Sequence, residues 1–501
     1  MATPIPTNRA RFLLPEIALA TQGTLVQRGP SSTEPAVGVF SDSRAVTAGS
    51  VFVALHGEAH DGHRFVGAAV RSGARVVLVD RSARGNVELP AEASVVWVDD
   101  TLVAWGALAR AHLVKWRTDS VDGRVVAITG SAGKTTTKEL TAALLAEVAP
   151  THFTAGNLNN RIGVPAVIFA LEATHRFCVL EMGMSLPGEL DAITDFAKPD
   201  VSVVVNVGVA HAEGVGGREG VMHEKGAVYR ALGPDGIAIV NADDEYVRRA
   251  ARKAGVRHIE TFGRGNTAPA SGTSTSAADP PSGTWPRSNA PHYRLIERTP
   301  DASGGSRVVV SCAGRDLTLS LPLPGEAAAI DLTAAIAAQE AASRELLSPE
   351  AIDRALASVR LEGRGTVRVL ADDVLVLDDS YNANPASMRS ALATLAELAG
   401  PRRRVAVLGE MKELGPLAEE EHAALGDAIA EAGVALAIGC GGLVGLALDR
   451  AKARGVDVVA CASTGDAASG ATQKVVRGDA VLVKGSRSTT TERVVSALAA
   501  R

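Results

Sequence analysis

The segment Val125–Thr137, VVAITGSAGKTTT, constrains this chain more than any other. A short apolar run leads straight into a glycine-rich turn, and a helical pattern follows from Lys134 to Glu147. Backbone N–H groups of such a turn, together with those of the first helical turn, face outward and bind an anion. The spacing predicts a phosphate loop made of Thr129, Gly130, Ser131, Ala132, Gly133, Lys134, Thr135 and Thr136. Lys134 is placed to reach the β- and γ-phosphates of a nucleotide, and the Thr135 hydroxyl to ligate Mg²⁺. The usual pattern has a glycine five positions before Gly133. Here that position is Ile128, so the loop is a shortened variant. A phosphate loop implies a bound nucleoside triphosphate but does not separate kinases, ATPases and ligases.

The rest of the chain supplies the sheet such a loop needs. Strands are expected at Cys178–Glu181, Val201–Val207 and Ile237–Asn241, alternating with helices as in a parallel sheet. Upstream, Ala74–Asp80 and Ser94–Asp100 read as buried strands, followed by a helix over Thr101–Lys115 and a break near Thr118–Gly123. Downstream of Gly365, strands are expected at Val374–Asp378, Arg404–Gly409, Ala435–Ile438 and Ala480–Lys484. Residues 264–291 are rich in Gly, Ser, Thr, Ala and Pro and predict a flexible surface insertion. A length of 501 residues fits three α/β domains. These are a small α/β substrate domain over 1–120, a central P-loop ATPase-type parallel sheet over 121–364, and a C-terminal Rossmann-like α/β domain over 365–501.

Composition removes other classes. Lys plus Arg number 51 against 56 Asp plus Glu, and aromatics are 3%, so neither a basic sheath nor a stacking platform for nucleic acid is present. No apolar run approaches the ~20 residues of a membrane span. The first 22 residues carry Arg9, Arg11 and Glu16 without an apolar core, unlike a signal peptide. Cys178, Cys312, Cys440 and Cys461 form no CxxC pair and fit a reducing compartment. The expected location is cytoplasmic.

Several polar residues sit where strands end. Glu181 closes the run FCVLE and is a candidate Mg²⁺ ligand. His211 follows VSVVVNVGVA and reads equally as a structural histidine or a ligand. Lys225 lies in MHEKGAVY, and on its own reads as a solvated helix lysine, because Mg²⁺ would repel an ammonium. His223 and Glu224 read as surface residues. Asn157, Asn159 and Asn160 in GNLNNRIGVP form a polar turn before a helix.

Taken together, TGSAGKTTTKE, GNLNNRIGVP, LEMGMSLPGEL, NVGVAHAEG, HEKGAVY and NADDE resemble the central domain of the Mur ligases, ATP-dependent amide-bond ligases of peptidoglycan synthesis. FSDSRAVTAGSVFVALHGEAHDGHRF resembles the family's uridine-nucleotide substrate domain. DDSYNANPASM, VLGEMKELG and LVKGSRSTTTE resemble the C-terminal domain of the branch that adds a dipeptide. The resemblance implies ATP, Mg²⁺, UDP-MurNAc-tripeptide and D-alanyl-D-alanine as partners, an acyl-phosphate intermediate, and a monomeric enzyme. It implies Mg²⁺ ligation by Glu181 and His211 and a CO₂-derived carbamate on Lys225. It implies nucleotide contacts from Arg364 and Asp379, and uridine-nucleotide contacts from Ser41, Ser43 and Arg44. Asn157, Asn160, Asn382, Asn384 and Lys484 fall on the substrate side. Two other readings share these motifs: the neighbouring ligase that adds the third amino acid, and a non-catalytic nucleotide-binding descendant.

One segment departs from the family pattern. Where Gly-x-His-Asn-x-x-Asn is expected, Gly325–Asp331 reads GEAAAID. Ala327 and Ala328 replace the His and first Asn, and Asp331 replaces the last Asn. The family's use of this segment implies that Asp331 accepts a hydrogen bond from the adenine amino group, or that backbone atoms take over.

Overall fold

The computed structural model describes residues 3–57, 61–209, 212–265, 291–301 and 304–501. Nearly all of the insertion expected at 264–291 lies outside the described residues, as does His211.

Three main sheets follow one another along the chain. The first has five strands, four of them parallel, with Thr24–Gln27 antiparallel at one edge. The expected strands appear there as Val76–Asp80 and Ser94–Val98. The helix after them runs over Thr101–Asp119, four residues longer than expected, and Asp100 caps it by accepting from the N–H groups of Leu102 and Val103. This helix joins the first sheet to the second. Trp105, fully buried on it, donates from Nε1 to the Ile162 carbonyl at 3.0 Å and meets the Phe169 ring edge-on at 4.8 Å. One apolar cluster runs continuously from Phe12, Val76 and Leu78 through Trp105 to Phe169 and Leu180. Burying an aromatic side chain of this size contributes about 3 kcal/mol.

The central sheet has nine strands and carries the phosphate loop. Strand Arg124–Thr129 lies between Phe177–Glu181 and Val201–Val204, parallel to both, so their C-terminal ends open at one edge. Ile237–Asn241 and His258–Gly263 continue the parallel array. The sheet is not parallel throughout, which corrects the expectation from sequence. Tyr293–Pro300, Ser306–Cys312 and Arg315–Leu321 add an antiparallel edge. The last two join through Ala313 and Gly314, both at positive φ (47° and 90°), the conformation of a tight hairpin turn.

The third sheet has six strands, with Thr366–Val369 antiparallel at the edge. Leu375–Asp379, Arg404–Gly409, Leu436–Cys440, Asp457–Cys461 and Ala480–Lys484 are parallel. Leu375–Asp379 and Ala480–Lys484 are neighbours, with Asp379 beside Lys484 at their C-terminal ends. Among the described residues, no helix is long and apolar enough to cross a membrane.

Candidate active site

Strand Arg124–Thr129 feeds the loop, and Gly133 starts the helix Lys134–Ala146. Gly133 is left-handed (φ 79°), and a Cβ there would stand 2.5 Å from the Asp331 carboxyl, so the position requires glycine. Asn206, just past strand Val201–Val204, splints the loop. Its Oδ1 accepts from the N–H groups of Ser131 (3.1 Å) and Ala132 (2.9 Å), and its Nδ2 donates to the Ala132 carbonyl (3.1 Å). The Ser131 hydroxyl accepts from Gly208 N–H at 2.8 Å. Sequence reasoning missed Asn206; its only signal was a polar residue ending an apolar run. Thr129, expected to touch the nucleotide, is instead buried beneath the loop.

At the tip of the neighbouring strand, the Glu181 carboxylate is 2% exposed and receives two hydrogen bonds. The Thr135 hydroxyl donates to Oε2 and the Asn159 amide to Oε1, each at 2.7 Å. Glu181 N–H donates to the Thr154 hydroxyl (3.0 Å), and the buried Lys138 donates to the Thr154 carbonyl (2.6 Å). Behind the loop, two lysines converge. Lys134 Nζ donates to the Gly130 carbonyl at 2.7 Å and Lys225 Nζ to the same oxygen at 3.1 Å. Burial lowers the Lys134 pKa, with the Arg364 charge adding to it and Glu181 opposing. Burial and the Lys134 charge together hold Lys225 well below the ordinary lysine value, against Glu224. Lys225 is 1% exposed, so it is not a solvated helix lysine. Glu224 is also buried, where its carboxylate accepts from Gly188 N–H, correcting its placement on the surface.

The loop faces a cavity of about 560 Å³ whose other wall is the third sheet's C-terminal edge. Asp379, Tyr381, Asn382, Asn384, Lys484 and Arg487 line that wall, and Arg364 enters from the connection between the sheets. Lys484 is buried and donates to Asp379 and to the Asn382 carbonyl. Burial raises the Asp379 pKa, while Lys484 and Arg364 pull it back. Asn384 caps helix Pro385–Ala399 and crosses to the Ser131 carbonyl with its Nδ2 (3.1 Å).

The remaining predicted residues divide. Asn157 and Asn160 line the cavity, but their side chains are engaged within the protein: Asn157 accepts from Thr3 near the N-terminus, and Asn160 caps the turn at Ile162 and Gly163. Ser41, Ser43 and Arg44 do not line the cavity. Arg44 is exposed and paired with Asp42. Asp331 is misplaced by the adenine expectation. Ala327 and Ala328 line the cavity, and Asp331 sits one helical turn deeper on the same face, buried under Gly133. Burial pushes its carboxyl well above the ordinary carboxylate range, against the pull of the Thr137 hydroxyl.

Thr135 and Glu181 supply the oxygen donors that Mg²⁺ takes. The arrangement as a whole sets a phosphate-type loop on one wall against charged and amide side chains on the other.

Known proteins agree with this architecture. Residues 36–113 match the model "Mur ligase family, catalytic domain", 128–339 "Mur ligase middle domain", and 359–487 "Mur ligase, glutamate ligase domain". The UDP-N-acetylmuramoyl-tripeptide--D-alanyl-D-alanine ligase of Escherichia coli K12 is 36% identical over 397 residues, 79% of each chain. A crystal structure of MurF from Acinetobacter baumannii superposes with a TM-score of 0.79 at 28% identity, covering 100% of both chains. MurF from Thermotoga maritima in complex with ADP gives a TM-score of 0.76 at 27% identity, covering 92% of this chain and 97% of that one. The chain belongs to the Mur ligase family.

Proposed function

We propose that this protein joins D-alanyl-D-alanine to UDP-N-acetylmuramoyl-tripeptide in an ATP-dependent amide ligation of peptidoglycan synthesis. The observation that carries this reading is the cavity in which Lys134, Thr135 and Glu181 face Asp379, Asn382 and Lys484. The names of its relatives support the substrates, and an ADP-bound neighbour supports the nucleotide.

A carboxylate is a poor acyl donor, and taking the γ-phosphoryl group converts it into an acyl phosphate with phosphate as leaving group. Catalysis of that transfer is chiefly positioning and charge neutralisation. The phosphate loop and Lys134 bind the triphosphate, and Asn206 keeps the loop shaped for it. Thr135 and Glu181 would hold Mg²⁺, which would neutralise phosphate charge when bound. Arg364 approaches the triphosphate from the domain connection. Lys225 is a fit site for a carbamate, because burial beside Lys134 favours the neutral amine that CO₂ requires. The modification would replace one of two crowded cations by an anion. Asn382 and Lys484 border the dipeptide, whose amine attacks the acyl phosphate, and Asp379, paired with Lys484, contacts the nucleotide with Arg364. Closure of the cavity on its substrates would exclude the water that otherwise hydrolyses the acyl phosphate.

On this reading residues 1–120 hold the uridine nucleotide, with Ser41, Ser43 and Arg44 as contacts. Residues 121–364 hold ATP, with His211 as a further Mg²⁺ ligand, and 365–501 hold the dipeptide. A monomer acting in the cytoplasm is consistent with a cavity built by one chain and with four free cysteines.

The test combines the protein with ATP, Mg²⁺, UDP-MurNAc-tripeptide and D-alanyl-D-alanine. Phosphate release that depends on the dipeptide, with a pentapeptide product by mass, is the expected result. Release indifferent to the dipeptide overturns the reading.

A further inference from the structure

If the ligation proposed above is the reaction, the incoming dipeptide carries two ends of opposite demand. Its amine must reach the acyl phosphate uncharged, and its C-terminal carboxylate must be anchored elsewhere. Four cations line the cavity: Lys134, Arg364, Lys484 and Arg487. Three are committed. Lys134 belongs to the phosphate loop. Arg364 packs over the Tyr381 ring at 4.0 Å and is taken by the nucleotide on the reading above. Lys484 is buried and closed off by Asp379 and the Asn382 carbonyl.

Arg487 differs from all three. It opens the short turn Arg487–Thr489 beyond strand Ala480–Lys484, at the strand ends where ligands gather in α/β sheets. Its side chain is 45% exposed. Nη1 donates to Glu492 Oε1 at 3.0 Å, and the other guanidinium nitrogens have no hydrogen-bond partner among the described residues. An ion pair this exposed is weak. Its guanidinium carbon lies 5.4 Å from the centre of the Tyr381 ring, which also carries Arg364 at 4.0 Å. The ring borders Arg487, and the guanidinium nitrogens other than Nη1 stay available to a ligand. A planar fork with a free edge matches a carboxylate in two parallel hydrogen bonds.

We infer that Arg487 binds the C-terminal carboxylate of the dipeptide and so determines that the acceptor is a free acid. The test compares D-alanyl-D-alanine with its C-terminal amide in the wild type, Arg487→Gln and Arg487→Lys, following phosphate release and product mass. The wild type should use the amide at least about tenfold less efficiently than the acid, the size of a lost charged hydrogen bond. Arg487→Gln should raise the dipeptide KM by at least about tenfold and use acid and amide alike. Its ATP KM should stay within about twofold of the wild type, which also shows that the site remains folded. Arg487→Lys should keep part of the discrimination. An Arg487→Gln enzyme that still rejects the amide as the wild type does, or whose defect falls on ATP, overturns the assignment. Wild-type protein with no dipeptide-dependent phosphate release overturns the parent reading instead, before any variant is compared.

Discussion

Lys134 and Lys225 end on one oxygen, the Gly130 carbonyl, at 2.7 and 3.1 Å. Two unit charges about 5 Å apart repel by roughly 3 kcal/mol at an effective dielectric of about 20. A single backbone carbonyl cannot neutralise both. The pair is therefore poised to lose one positive charge, and Lys225 is the residue on which burial and its neighbour act together.

Replacing Lys225 tests that arrangement. Lys225→Ala is expected to lower kcat at least about a hundredfold, as removal of a positioned charge in a dry site does. Acetate or formate should restore part of the rate by occupying the vacated space with an anion. Steady-state phosphate release measures both. Full activity without added carboxylate would remove Lys225 from the site.

Asn206→Ala addresses the loop itself. It deletes the acceptor for two N–H groups and the donor to Ala132. Ser131 N–H keeps the Asn206 backbone carbonyl at 3.1 Å, whereas leaving the Ala132 N–H unmet costs about 1–3 kcal/mol. The ATP KM should rise several-fold while the dipeptide KM holds. Equal changes in both constants would show that Asn206 does not act through the loop.

Asp331 yields a pH-dependent outcome. Its pKa is raised in the folded protein, so the unfolded chain ionises first as pH climbs. Stability associated with this group is complete below the ordinary carboxylate range and is lost progressively as pH rises toward the raised value. Asp331→Asn carries no charge to bury, so its melting temperature should exceed that of the wild type by a margin that grows from pH 5 to pH 8. A constant margin would show that the fold does not raise the Asp331 pKa.

His152 provides the opposite slope. Burial, aided by His175, lowers its pKa to about 4, and its Nε2 meets the Val167 carbonyl at 2.9 Å. The folded protein holds it neutral while the unfolded chain protonates near 6.5, so stability falls as pH drops from about 6.5 to about 4. Melting curves of His152→Gln over that window should be flatter than those of the wild type. Parallel curves would assign the acid sensitivity to other groups.

Local pattern made most of the parallel strands legible, because they are short apolar runs; His258–Gly263 and Asp457–Cys461, with polar and half-exposed positions, were not. The hairpin strands Ser306–Cys312 and Arg315–Leu321 escaped notice. Their alternating burial is a two-residue period, and the turn Ala313–Gly314 lacks the usual asparagine or aspartate signal. Lys134, Thr135 and Glu181 were legible because loop chemistry and strand ends are local features. Asn206 was not, since its partners lie 74 and 75 residues away. Asp331 and Glu224 were misjudged for a common reason. Sequence identifies an acidic residue on a helix, but only packing decides whether it faces a ligand, solvent or a neighbouring backbone.

The Asn384 side chain divides its two ends between two jobs. Its oxygen caps its own helix through Ser387, and its nitrogen reaches across to Ser131 on the phosphate loop. The cap persists whether or not the crossing bond is made, so the last domain can swing away without fraying its own helix. The crossing bond is a neutral one, worth about 1 kcal/mol, which is about a fivefold bias between engaged and released arrangements. A fastening of that strength registers contact between the nucleotide loop and the facing wall, yet gives way at thermal cost alone.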